Sequence, residues 1–365
     1  VLLGNKLEML KYLKYYIPSL TGILFIFFIL KGGGYPTYFF IAWSLFLFIG
    51  DYLLPRDKEI QQFSFPVFLN LSIYINLPIL FCLIFLVISI FSNELPNWYI
   101  EWLYSMLNID FVQIVDSFTS LDKVSIILQT TLLIGILGTV PGHELTHRKQ
   151  NKIDMFIGNW MLAFSWDCTF AIEHVYGHHK DVCLEEDPAS AKRGENIYLF
   201  IIRASTLEQL SGWRLESERL KRRKHNFLSV HNRMIIGYSR SLIITLLAFI
   251  FGGPIGMAVF LLCAIIAKLY LEAINYIEHY GLVREKGKPV GMRHSWNSNS
   301  LLSSIYLYNV TRHSSHHQKV NLKYWELEPS QGAPMMPQGY LSMLFISLLI
   351  PPLFHNIMQR NYVIG

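Results

Sequence analysis

The chain has 365 residues, 52% hydrophobic, 15% aromatic and only 16% charged, with a mean hydropathy of +0.33. A soluble domain carries about 25% charged residues, so the composition excludes an ordinary soluble protein and reads as an integral membrane protein. A net charge of +5 on so apolar a chain also excludes a nucleic-acid binder.

A helix crosses a bilayer with roughly 20 apolar residues, and six such segments are expected. The first, 15–31, precedes Gly32-Gly33-Gly34; the second, 37–54, ends near Asp51 and Pro55. After a short polar loop comes 65–92, then an aromatic loop over Asn93–Asp110. The fourth, 122–142, runs on into 143–149, and the fifth, 153–173, into Glu173–Lys180. Residues 181–235 form the largest soluble excursion, and the sixth span, 238–268, extends to His279. The apolar stretch 339–353 is interrupted by Pro351-Pro352 and reads as membrane-resting. The expectation is one all-α membrane domain over 1–365, six transmembrane helices with a histidine-rich cap from 143–149, 174–235 and 279–338. Lysine and arginine concentrate in 181–235 and 280–325, which makes the cap side cytoplasmic. Lys11 and Lys14 lead directly into the first span, so no cleavable signal is expected.

Nine of thirteen histidines fall in four blocks. These are His143-Glu-Leu-Thr-His147, His174-Val-Tyr-Gly-His178-His179, Asn-Tyr-Ile-Glu-His279-Tyr-Gly and Arg-His313-Ser-Ser-His316-His317. Imidazole is the commonest ligand for transition metals, and helical residues three or four apart share a face. Nine nitrogens exceed what one ion uses and point to two. The first block also matches the zinc-protease pattern H-E-x-x-H, but one zinc takes three or four ligands and leaves the rest idle. The four cysteines form no C-x-x-C, so no rubredoxin-type iron site is built in. His225, His231 and His355 stand outside the clusters and read as structural; His294 is open between an orienting and a structural role. Metal-bound imidazoles donate their other N–H to carboxylates or carbonyls, which makes Glu278, Asp187, Glu144 and Glu173 candidate orienters.

The spacing HxxxH, HxxxHH, HxxHH resembles the histidine boxes of the membrane desaturase and hydroxylase superfamily. Within it the chain resembles the bacterial membrane alkane hydroxylases. That narrower match rests on His143–Lys149, Glu173–Val182, Asn275–Leu282 and Arg312–His317, with support from Glu186–Ser190 and Ser295–Asn299, and covers roughly 40–340. Acyl desaturases lack the Asn275–Gly281 block. The family commonly has Asp at Ser315 and His at Ser300.

The resemblance implies two iron ions held by His143, His147, His174, His178, His179, His279, His313, His316 and His317; a division into five and four is expected, with the assignment open. It implies insertion of one atom of O2 into the terminal C–H bond of a medium or long linear alkane in the bacterial inner membrane. Electrons would come from NAD(P)H through a reductase and a separate rubredoxin. The basic stretch containing Arg219, Lys221, Arg222, Arg223 and Lys224 is the expected docking site for that acidic partner, or lies against anionic lipid. A substrate dissolved in the bilayer would enter sideways into an apolar channel. Trp43, about 12 Å along its helix from Asp51, is the candidate for its far end. Two alternatives remain. One is a related enzyme, a methylarene hydroxylase or an acyl-lipid desaturase or hydroxylase. The other is a metal transporter, disfavoured because the blocks sit at span ends on one side rather than at the midplane.

Overall fold

The computed structural model describes residues 9–92 and 95–361 and is helical throughout. Among the described residues the only β-pairings are two isolated bridges, Arg56–Ser300 and Asn297–Met335. Five helices are long and apolar enough to cross a membrane: α1 (Met9–Lys31), α2 (Tyr35–Leu53), α3 (Pro66–Phe91), α4 (Ser120–His147) and a 47-residue helix, Arg233–His279. Their outer faces carry exposed Leu20, Phe27, Phe46, Phe48, Leu242 and Phe249, a continuous apolar surface that only lipid would cover. Within the aromatic loop, whose Asn93 and Glu94 lie outside the described residues, Asn97–Leu107 is helical.

The first four expected spans are helices in the structure; the other two differ. Residues 153–173 form no continuous helix. A 12-residue helix, α5 (Lys152–Ala163), is followed by a reversal at 164–169, where Trp166 adopts φ 53°. The chain then climbs back as α6 (Phe170–Glu173), extended by a π-helical turn over His174–His178. At 1.5 Å per residue α5 is about 18 Å long, too short for a hydrocarbon core of about 30 Å.

A helix over Ile197–Arg222, α7, lies between this segment and Arg233–His279, which we term α8. The expected sixth span is one part of α8, and α8 is not straight. Gly253 has φ 61° and ψ −163°, a conformation glycine alone adopts easily, and Pro254 follows it. The two arms fold back on each other. Ser241 Oγ lies 3.4 Å from Cys168 Sγ, while Lys268 Nζ donates to neighbouring Asp167 at 2.9 Å. In a straight helix Ser241 and Lys268 would be about 40 Å apart. A Cβ on Gly252 or Gly256 would stand only 3.2 to 3.5 Å from the Ile88 carbonyl, so this hairpin presses closely on α3.

The remaining chain caps the helix ends with α9 (Leu301–Tyr306), α10 (His313–Gln318), α11 (Tyr340–Leu349) and α12 (Pro351–Asn361). Buried Asp51, at the end of α2, ties the cap down. It accepts from Ser303 N (3.1 Å) and Oγ (2.7 Å), from Ser342 N and Oγ, and from Ser300 Oγ. Ser300 thus serves a structural carboxylate.

Candidate metal centre

The nine histidines of the four blocks converge. His143, His147, His174, His179 and His316 form one group, and His178, His279, His313 and His317 a second, each with ligand atoms within 4.8 Å of one another. All nine are buried. Spacing alone left the division open, and the π turn decides it. His174 pairs across the wider turn with His179, Nε2 to Nε2 at 3.1 Å, and His178 goes to the other group. π turns of this kind recur at functional sites. α10 supplies both groups, His313 and His317 to one and His316 to the other.

Within the first group, Nε2 atoms lie 3.0 Å apart for His143–His316 and 2.9 Å for His143–His174. Within the second they lie 3.2 Å apart for His279–His313 and 3.0 Å for His313–His317. A metal–imidazole bond of about 2.1 Å puts ligands at right angles about 3.0 Å apart, and ligands at the tetrahedral angle about 3.4 Å apart. The spacings are those of imidazoles directed at a shared ion. Each group also holds one buried Nε2 with no hydrogen-bond partner, that of His147 and that of His178. Converging lone pairs and orphaned nitrogens are what a bound cation would satisfy. Burial, reinforced by neighbouring imidazoles, pushes His174, His179, His316, His313 and His317 well below the usual histidine range and keeps them neutral, as ligands must be.

The outer nitrogens show which acids matter. Asp187 Oδ2 lies 3.0 Å from His178 Nδ1 and is itself held by Ser190 Oγ and the Ala189 N–H. Burial opposes charge on both partners, but their attraction prevails: it raises His178 and lowers Asp187. His279 Nδ1 is 2.9 Å from the His294 carbonyl, so His294 contributes its backbone, not its ring. Glu278 stands on the inner side: its Oε2 is 3.3 Å from His313 Nε2, the nitrogen that faces the other ligands. Glu144, expected as an orienter, instead grips Arg148 (2.6 and 3.0 Å) and accepts from Tyr324 N, because the arginine one turn later captures it. Glu173 accepts from Ser211 Oγ at 3.1 Å and touches no histidine nitrogen at hydrogen-bond distance. His225 and His231 stack on each other at 4.0 Å and His355 meets Tyr276 Oη at 2.9 Å, outside both groups.

Trp43 is buried and lines an apolar cavity. Thr139, Ile274 and Val310 line it too, within five residues of His143, His279 and His313, though none of the nine histidines lines it. Trp43 Nε1–H donates to Tyr306 Oη at 2.9 Å, and Tyr306 also meets Thr21 at 2.8 Å. In the basic stretch, Arg219 is committed to Glu216 and the His231 carbonyl, leaving Lys221, Arg222, Arg223 and Lys224 exposed at the end of α7.

One buried cluster was missed. Lys268 meets Asp167 (2.9 Å), Glu208 (3.0 Å) and Glu272, and Asn275 donates to Glu272 at 3.1 Å. Burial pushes the Asp167 and Glu208 carboxyls up. Glu272, Asn275 and Glu278 at three-residue intervals were the available signal of one polar face running to His279.

Comparison with known proteins agrees with the site. The fatty acid desaturase family model matches residues 123–346. An alkane 1-monooxygenase of Alcanivorax borkumensis is 36% identical over 66% of this chain and 63% of its own length. One of Pseudomonas aeruginosa is 37% identical over 67% and 66%. The chain thus spans just under two thirds of the length of these relatives. The hydroxylase component of a xylene/toluene monooxygenase of Pseudomonas putida is 28% identical over 95% of this chain and 88% of its own. With a family model covering more than half its length and every histidine block inside the match, the chain belongs to the fatty acid desaturase family.

Proposed function

We propose that the chain is a membrane di-iron monooxygenase that hydroxylates the terminal methyl of linear alkanes, with five histidines on one iron and four on the other. The observation that carries this is the convergence of nine buried histidines in two groups, with an apolar cavity lined by residues close in sequence to three of them. An unactivated methyl has no acid, leaving group or polar handle, so the bound iron supplies the redox step, in which RH, O2, two electrons and two protons give ROH and water.

The chain's residues bind and position. The cavity admits an alkyl chain from the bilayer and excludes water from the reacting end. Phe170 stacks on His174 at 4.3 Å and screens the first group. Asp187 fixes the ring of His178. Trp43 closes the far end of the cavity and limits chain length. Glu278 places a carboxyl oxygen on the inner face of the four-histidine group, 3.3 Å from His313 Nε2.

Both arms of α8 span the membrane, giving six crossings with the cap on the cytoplasmic side. Exposed Lys221, Arg222, Arg223 and Lys224 dock a separate acidic rubredoxin, fed by an NAD(P)H-dependent reductase. A methylarene substrate is the second reading, supported by the xylene/toluene relative aligned over 95% of this chain.

Product analysis decides between them. Cells supplying rubredoxin and reductase are fed a ladder of linear alkanes, a methylarene and a saturated acyl lipid. Primary alcohols from the alkanes support the proposal; benzylic alcohol alone, or an unsaturated lipid, overturns the substrate assignment.

A further inference from the structure

A second crevice opens between α5 and the first arm of α8, lined by none of the nine histidines. Lys149, Lys152 and Arg233 stand at its mouth and Arg240 on its wall, while Phe156, Ile172 and Ile236 make it apolar inside. No carboxylate lines it. Two of the cations already have company: Arg233 is bound to Glu216 at 2.7 Å, and Lys149 lies 4.1 Å from the centre of the Tyr176 ring.

Arg240 is different. It is half-buried, and among the described residues its guanidinium makes no hydrogen bond or ion pair. It stands about 10 Å further along the helix than Arg233, inside an arm whose outer face is Leu242, Ile243 and Leu246. A guanidinium stays charged at any physiological pH, and a charge at that depth in a membrane helix requires a partner. The N-termini of α5 and α8 open at the same mouth. Asn151 and Asn232 cap their first N–H groups, so these ends add positive field rather than free donors.

We infer that this crevice binds one anionic glycerophospholipid. Its phosphate sits among Lys149, Lys152 and Arg240, and its acyl chains run over Phe156 and Ile236 to the lipid-facing surface of α5, where Ile153 and Phe156 are 63% and 57% exposed. Free phosphate would leave the apolar walls bare. A zwitterionic headgroup would bring another cation to a crevice without an acid. Ala171 and Ile172 on its wall stand three and two residues before His174, and Lys149 follows His147 by two residues, so the lipid braces two histidine-bearing segments from outside. The inference needs only that the chain is embedded in a membrane and stands or falls apart from the hydroxylase proposal.

The test is native mass spectrometry of the delipidated full chain in detergent, titrated with phosphatidylglycerol or with phosphatidylcholine of the same acyl chains. Thermal unfolding with each lipid, and with inorganic phosphate, runs in parallel. One phosphatidylglycerol per chain should persist where phosphatidylcholine dissociates, and should raise Tm. Arg240→Gln should weaken it about tenfold, the loss of one charge-assisted contact. Arg240→Lys should restore part, and Lys149→Gln with Lys152→Gln, both on exposed side chains, should weaken it independently of any folding defect at Arg240. Equal retention of the two lipids, or unchanged affinity in these variants, overturns the inference. So does a phosphate-induced rise in Tm equal to that of phosphatidylglycerol, which would identify a free-anion site.

Discussion

The two histidine groups are built from the same blocks and differ in charge. His143, His147, His174, His179 and His316 gather with no carboxylate among them. His178, His279, His313 and His317 have Asp187 behind one ring and Glu278 on the inner face. Two ions bound here would be unlike: one surrounded by neutral donors alone, the other with negative charge close by. Carboxylates raise the basicity of the imidazoles they orient and offset the charge of the ion. The four-histidine group therefore makes up in charge what it lacks in nitrogen count.

Removing a ligand tests that contrast most harshly. His147→Ala should take iron content, measured by elemental analysis, from two per chain to one, and lower alkane turnover more than about 100-fold, beyond the range seen for an outer-sphere change. The retained iron should be that of the four-histidine group. Loss of both irons would show that the two sites form only together and would dissolve the comparison.

A smaller effect is expected at the acids. Asp187→Asn keeps the shape and removes the charge behind His178. It should weaken metal retention by about 10- to 100-fold in one site only, read as the rate of iron loss to a chelator. Glu278→Ala should likewise lower iron retention or turnover, selectively in the four-histidine group. Glu144→Gln is the control. It lies in the first block yet serves Arg148 and Tyr324, so iron retention should be unchanged while unfolding costs about 1–3 kcal/mol less, because the half-buried arginine loses the charged one of its closest partners and keeps only Asn70 and the more distant Asp154. If Glu144→Gln sheds iron as fast as Asp187→Asn, hydrogen-bond geometry is a poor guide to which acids support this centre.

Much of this could be read from the chain, and the exceptions have physical causes. The nine histidines were legible because ligand chemistry needs particular side chains at helical spacing. The first four spans were legible because each is an apolar run of membrane length ended by Gly, Pro or charge. The hairpin in α8 was not, although Gly252-Gly253-Pro254 interrupts a run longer than one crossing needs; hydropathy stays high through a turn whose backbone is buried against α3. The break at 164–169 did carry a signal, the polar Ser165 and Asp167, which the apolar residues on either side outweighed. The division of the histidines depends on a π turn, and five-residue pairing is invisible to a pattern read in threes and fours. Glu144 and Asp187 looked alike in sequence, and only Arg148 beside one and Ser190 beside the other separates them.

The smallest expected effect lies at Trp43, which lines the apolar cavity. Trp43→Ser should lengthen the longest alkane accepted, because the indole occupies volume that a longer chain needs. Tyr306→Phe tests how the indole is held. It deletes the hydroxyl that Trp43 Nε1–H and Thr21 share, and leaves the ring contact at 5.6 Å in place. One neutral hydrogen bond is worth about 1 kcal/mol, enough to let the indole turn but not to remove it. The product ladder should therefore spread toward longer chains by less than in Trp43→Ser, with iron content unchanged in both. A sharp, unshifted cut-off in both variants would place the length limit elsewhere along the cavity. A shift in Trp43→Ser alone would show that packing, and not the hydrogen bond, fixes the indole.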